Sequence, residues 1–212
     1  MFLHDAAGPV TTALTAAQFL TEAINSTPDR FDENTQKMGK ILCNALDLVA
    51  GLFEQSRSIE QLRDQVPSEI SVLSVLSPAI DLVRPKIRAR NITLDVEGKL
   101  EGTKLRVNHL ALVRVLSNLL QNAIDAVEDK VGHVTLSMGL GETWVEFAVH
   151  DNGPGIAPQY MEKIFEAHFT TKQKGTGMGL YICKHLVESM NGMLTLHNKP
   201  GHGCCFSVKI PR

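Results

Sequence analysis

The chain of 212 residues holds only four cysteines, Cys43, Cys183, Cys204 and Cys205, and no two of them stand in a CxxC pair. Neither a zinc site nor a disulfide framework is expected from that spacing, and a reducing compartment fits better. Cys204 and Cys205 are neighbours in a stretch that reads as a strand, so their side chains should point to opposite faces. Charge of one sign is lacking too. A net charge of −2 gives no electrostatic reason to expect nucleic acid or an anionic membrane as a partner. The most apolar run, ILCNALDLVAGLF, is broken by Asn44 and Asp47 and is too short to span a bilayer. No signal-peptide pattern is seen, and the chain opens directly on a motif, which suggests a portion of something longer. Two glycine clusters are present, but neither is followed by GK[ST] and neither has GxGxxG spacing at a first βα turn. A P-loop and a dinucleotide fold are therefore poor matches.

What is present is the composition of a globular protein, 43% hydrophobic and 21% charged. The length allows one large domain or two small ones. Residues 2–25 carry Leu3, Val10, Ala17 and Ile24 at seven-residue spacing, with Ala6, Ala13 or Leu14, and Leu20 as a second row. That narrow seam predicts a helix of a coiled coil or bundle, kinked at Pro9. NSTPDRFDEN breaks the pattern, and a second helix is expected over about 33–57, with Met38, Ile41, Leu42, Ala45, Leu48, Val49 and Leu52 on one side. Two such helices cannot enclose a core. Two copies of the hairpin could form a four-helix bundle, while packing against the rest of the chain stays open.

Residues 58–67, ending at Pro67, read as a linker into a second domain over 68–212. ISVLSVL is either a strand or the start of a helix reaching about Arg88. NITLDVEG alternates like a strand. A long helix follows, NHLALVRVLSNLLQNAIDAVEDK, with Asn108 as its N-cap. GHVTLSMG and TWVEFAVHDN read as two strands joined by a GLGE turn. MGLYICKHLVESMNG reads as a helix ended by Gly192, and MLTLHN and GCCFSVKI as closing strands. Helices mixed with a largely antiparallel sheet predict a two-layer α/β sandwich.

Within this second domain DNGPGI places Asp151 at the end of a strand with a sharp turn behind it. GTGMGL, Gly175 to Leu180, precedes a helix, so its backbone N–H groups and the helix dipole can face an anion. Either cluster alone is as compatible with a plain turn. Asn118 and Asn122 lie i, i+4 on one helix face. By themselves they read as a satisfied core pair, although an amide oxygen also suits Mg²⁺ held against phosphates.

His4-Asp5 with Pro9, the Asn118/Asn122 helix, DNGPGI, IFEAHFTTK, GTGMGL and GHGCCF occur in one fixed order. In that order they resemble the H, N, G1, F, G2 and G3 boxes of sensor histidine kinases, over nearly all 212 residues. The resemblance implies a helical hairpin over 1–57 that dimerises and displays a phosphoacceptor, His4, beside its activating acid, Asp5. It implies a Bergerat-type ATP-binding domain over 68–212. Asp151 then matches the acceptor for the adenine amino group, and Gly153 and Gly155 let the backbone approach the base. Asn122 matches the Mg²⁺ ligand. Gly175, Thr176, Gly177, Met178, Gly179 and Leu180 line the nucleotide, with the three glycines following the triphosphate. Lys172 neutralises phosphate charge, with Lys174 a weaker candidate. Asn118 stands where related ATPases carry a glutamate that activates water. An amide cannot act as a general base, which spares the γ-phosphoryl group for His4.

Some positions depart from that pattern. Ala7 and Gly8 replace a basic residue and a Thr or Asn after the histidine, so weak phosphatase activity toward a partner is implied. Asp125 stands where many members carry a phosphate-contacting lysine. Ala167-His168 replaces a frequent Pro-Phe, and His168 and His109 read as structural. The implied activity is an ATP-dependent protein histidine kinase core that passes its phosphoryl group to an aspartate of a response-regulator receiver domain. The implied state is a cytoplasmic homodimer that meets a membrane only through other parts of a parent sensor. The alternatives are a superfamily ATPase or a phosphotransfer scaffold without kinase activity.

Overall fold

The computed structural model describes residues 66–98, 100–172 and 176–212, together with Ala13, Ala16, Asp32, Asn34, Thr35, Lys37–Gly39, Ile41 and Leu42. The chain divides into two units, Met1–Gln65 and Val66–Arg212. In the first, Asn34, Thr35, Lys37–Gly39, Ile41 and Leu42 are helical. The Asp32 carboxylate accepts the Thr35 N–H at 2.8 Å, the bond that starts a helix. Met38, Ile41 and Leu42 are exposed on the single chain. The expected hairpin and its four-helix bundle otherwise lie outside the described residues.

The second unit is an α/β domain built on a mixed sheet. In chain order it comprises β1 (Ser68–Ser71), a 3-10 turn, α1 (Leu76–Arg90), β2 (Thr93–Glu97), β3 (Lys104–Val107) and α2 (His109–Ala126). It continues with β4 (His133–Leu140), β5 (Trp144–Asp151), a short 3-10 turn, α3 (Gly179–Ser189), β6 (Met193–Asn198) and β7 (Cys204–Pro211). Five strands form one sheet in the order β2-β4-β5-β7-β6, and β1 with β3 forms a separate antiparallel pair. β2 runs parallel to β4 and the other pairings are antiparallel.

The period of two along the strands decides which face is covered. On β5 the odd residues Val145, Phe147, Val149 and Asp151 are buried. On β7 the even residues Phe206, Val208 and Ile210 are buried, each opposite one of them. α2 covers this face with Leu112, Val115, Leu116, Leu119, Leu120, Ala123 and Ile124, and α3 adds Ile182, Leu186 and Val187. Phe147 is fully enclosed, and burial of such a side chain contributes about 1.5–3 kcal/mol.

Asn108 caps α2 as expected, its Oδ1 accepting the Ala111 N–H at 3.1 Å. The far end of α2 is held by α1. The Arg90 guanidinium donates to the carbonyls of Ile124 (2.5 Å) and Val127 (2.6 Å), placing a cation on the negative end of the helix dipole. Lys86, one turn earlier, pairs with Asp125. ISVLSVL proves to be strand, 3-10 turn and helix start in succession. The strand Lys104–Val107 was not expected from the sequence. α3 ends differently from expectation as well. Asn191, at φ 56°, takes the left-handed position, and Gly192 follows it with its N–H bonded to Val187 O at 2.9 Å.

Candidate active site

The sheet parity that buries Val145, Phe147 and Val149 also carries Asp151 into the core, and only 3% of it is exposed. An acid there needs donors. Its Oδ1 accepts the Gly153 N–H at 2.9 Å, and the backbone of Cys204 supplies another hydrogen bond. Burial nevertheless outweighs them and holds the carboxyl above its usual range. A buried carboxylate at a strand end, facing a turn, is a ready acceptor for an amino group.

The turn behind Asp151 is closed by three tight approaches. A Cβ on Gly153 would sit 2.8 Å from both Ala126 O and Asp151 Oδ1. One on Gly203, at φ +97°, would sit 1.8 Å from Asp151 O. Gly155, at φ +74°, faces Asn198 and Lys199, and Asn198 grips Ile156 through two bonds of 2.8 Å. Asn152 anchors the other side, accepting the His133 N–H at 2.8 Å and donating to Val131 O at 3.1 Å. Gly203, Asn198 and Asn152 were not among the sequence candidates for site residues. GHGCCF contains the first of these and DNGPGI the last, while Asn198 carried no signal.

α2 runs past this turn and sets out the rest of the site along one face. Ala126 touches Gly153 at the base end. One turn back, Asn122 Oδ1 accepts the Lys172 ammonium at 3.1 Å, and Asp125 Oδ2 accepts the same ammonium at 2.9 Å. One further turn back, Asn118 lies beside the start of α3, its Oδ1 3.7 Å from where a Cβ on Gly179 would stand. From Ala126 to Asn118 the helix rises about 12 Å, comparable to an adenine nucleotide from base to terminal phosphate. The far end is the N-terminus of α3, where free backbone N–H groups favour an anion.

The loop before α3 is fitted against the segment carrying Lys172. Gly177, at φ +68°, lies so close to His168 and Phe169 that a Cβ would meet the His168 carbonyl carbon at 2.3 Å. Phe169 stacks tilted on Tyr160 at 5.5 Å, and Phe165 meets Phe206 edge-on at 6.5 Å. Met178 is buried, Leu180 half-buried and Thr176 exposed. His168 is exposed at φ 67° and His109 Nε2 lies 3.3 Å from Ser74 O. The Cys183 thiol donates to the Val115 carbonyl at 3.8 Å, and burial pushes it up to about 12. Cys204, beside Asp151, is pushed up to about 11 by burial and by that carboxylate. Both thiols are therefore unreactive at neutral pH. His4, Asp5, Lys174 and Gly175 lie outside the described residues.

Residues 107–212 match the histidine kinase-, DNA gyrase B-, and HSP90-like ATPase family. The chain belongs to that family. Among curated relatives it is 32% identical over 193 residues to the two-component sensor PprA of Pseudomonas aeruginosa, covering 86% of this chain and 20% of that protein. It is 31% identical over 221 residues to the sensor-like histidine kinase SenX3 of Mycobacterium tuberculosis, covering 99% of this chain and 53% of that one. The chain thus spans about half of SenX3 and a fifth of PprA. Among solved structures, the nucleotide-free catalytic domain of histidine kinase ThkA superposes with a TM-score of 0.64 at 32% identity, over 69% of this chain and 96% of that domain. The α/β unit is an ATP-binding catalytic domain of the sensor histidine kinase kind.

The residues present fit both expected groups. Asp151 and the Gly153 turn offer an acceptor in a close-packed cradle for adenine. The Asn122 amide oxygen already carries a cation in the form of Lys172, and it is the hard donor that Mg²⁺ prefers.

Proposed function

We propose that the chain is the kinase core of a two-component sensor, binding Mg²⁺-ATP in the α/β domain and phosphorylating itself on His4. Asn118 carries this reading. It lies where the α3 N-terminus would meet the terminal phosphate, and it offers an amide rather than a carboxylate. An amide cannot take a proton from water, so hydrolysis is not favoured at that point. The γ-phosphoryl group is then kept for a nitrogen nucleophile. An imidazole nitrogen of His4 attacks the γ-phosphorus as the bond to the β-phosphate oxygen breaks. ADP departs, and Asp5 takes the imidazole proton. Asp151 orients the base, Lys172 and the α3 N-terminus bear phosphate charge, and Asn122 holds the metal. Bound Mg²⁺ supplies charge neutralisation across the polyphosphate.

The phosphoryl group then passes to an aspartate of a response-regulator receiver domain. Support for that partner comes from ThkA, whose structure in complex with the response regulator TrrA shares this fold at a TM-score of 0.66. The reading includes a homodimer through residues 1–57 and a cytoplasmic position in a membrane-linked parent protein.

The test replaces Asn118 by glutamate. With γ-labelled ATP the wild type is expected to yield acid-labile label on protein and little free phosphate, and Asn118→Glu to release more free phosphate. Rapid release of free phosphate by the wild type, with no label on protein, would instead make the chain an ATPase.

A further inference from the structure

Building on the nucleotide reading above, we propose that Asp125 is a latch. Without nucleotide it parks Lys172 on the cation-binding oxygen of Asn122, and an incoming polyphosphate must draw Lys172 away. The observation is a three-way contact. Lys172 Nζ donates to Asn122 Oδ1 at 3.1 Å and to Asp125 Oδ2 at 2.9 Å. The two acceptors stand i, i+3 on α2 and so share a face. A single ammonium satisfies both, at the residue that is to hold the metal. Free Mg²⁺ therefore meets an oxygen already engaged with a cation.

Lys86 explains how the latch can open. Asp125 Oδ1 accepts from Lys86 on α1 and from Gln121 at 3.2 Å, while Oδ2 takes Lys172. The two oxygens serve different partners. Burial pushes the Asp125 carboxyl up, but the hydrogen bonds from Lys86 and Lys172 outweigh it and hold the group ionised. When Lys172 leaves, Lys86 still neutralises Asp125, so no partly buried charge is stranded. Two cations on one carboxylate leave one positive charge in surplus, and Lys172 is the lysine that also touches Asn122. Its side chain is 44% exposed against 20% for Asp125, so the lysine is the partner free to swing.

The test is the affinity of the full 212-residue chain for ATP in the presence of a magnesium chelator, read by displacement of a fluorescent ATP analogue. Asp125→Asn is expected to tighten binding about two- to fivefold, the worth of one partly exposed ion pair. Lys86→Met is expected to weaken it by a similar factor, because Lys172 is then the sole cation on Asp125. Both effects are expected to vanish in a Lys172→Met background. Equal effects with and without Lys172 would show that net charge near the polyphosphate is the cause, and would overturn the latch. Weaker binding by Asp125→Asn would overturn it too. The two variants give opposite signs, so loss of the cooperative melt in one leaves the other decisive. A wild-type chain that binds the analogue neither with the chelator nor with Mg²⁺ overturns the nucleotide reading and the latch together, and one that binds it only with Mg²⁺ overturns the latch alone. Normal wild-type binding with background-independent variants overturns the latch alone.

Discussion

Asp151 shows how one residue can be set against stability for the sake of a ligand. Its folded pKa is raised by burial, so the folded state binds its proton more tightly than the unfolded chain does. Stability from this group is full below the ordinary value of 3.8 and is lost as pH rises through the raised value. At neutral pH the nucleotide-free domain carries the cost of a buried charge. Asp151→Asn is therefore expected to melt no lower than wild type at neutral pH, with any stabilisation growing as pH rises above 3.8. The same variant is expected to lose roughly tenfold or more in ATP affinity by calorimetry, as an acceptor is exchanged for a donor. Equal ATP affinity of the two proteins would remove Asp151 from the adenine site. The acid and its place at a strand end were legible from DNGPGI, whereas its burial emerged only with the sheet, where it shares the covered face with Val145, Phe147 and Val149. The bonds of Asn152 and Asn198 were not legible, because they join residues 19 and 42 positions apart.

At the scale of elements, α2 is the spine of the site. Its cap, its apolar face and its two asparagines were all readable from local spacing. Asn108→Ala is expected to cost about 1 kcal/mol, seen as a melting temperature lower by about 2–4 °C. An unchanged melt would mean that the cap is idle. The strand Lys104–Val107 was not readable, because four residues paired with the distant Ser68–Ser71 carry too little pattern. The end of α3 was misread for a related reason. Asn and Gly both tolerate the left-handed position, and Gly192 is instead held by crowding, since its Cβ would meet Lys209 O at 2.6 Å. Gly203→Ala is expected to be far more damaging than a surface change, because both φ and the Asp151 carbonyl oppose a methyl group. Thermal unfolding of the variant, compared with Gly201→Ala where nothing lies within 4 Å, separates crowding from φ alone.

At the scale of the molecule, the kinase reading joins a nucleotide domain to an acceptor histidine within the same 212 residues. The α/β domain was legible as a class and its sheet is largely antiparallel as expected, with β2–β4 the one parallel pairing, but the second small sheet that accompanies it was not foreseen. The apolar seam of residues 2–25 and the exposure of Met38, Ile41 and Leu42 motivate a second copy of this chain as their cover. Light scattering is expected to give a dimer for the full chain, and a smaller particle for Ile41→Glu.

The most direct measurement is the position and fate of the γ-phosphoryl group. The chain is incubated with Mg²⁺-ATP, kept at alkaline pH, and its phosphorylated residue is mapped by fragmentation that spares the phosphate. The kinase reading predicts one acid-labile phosphate on His4, absent in His4→Gln and strongly reduced in Asn122→Ala. Phosphate on another residue, or ATP consumed with none retained on the chain, would contradict it.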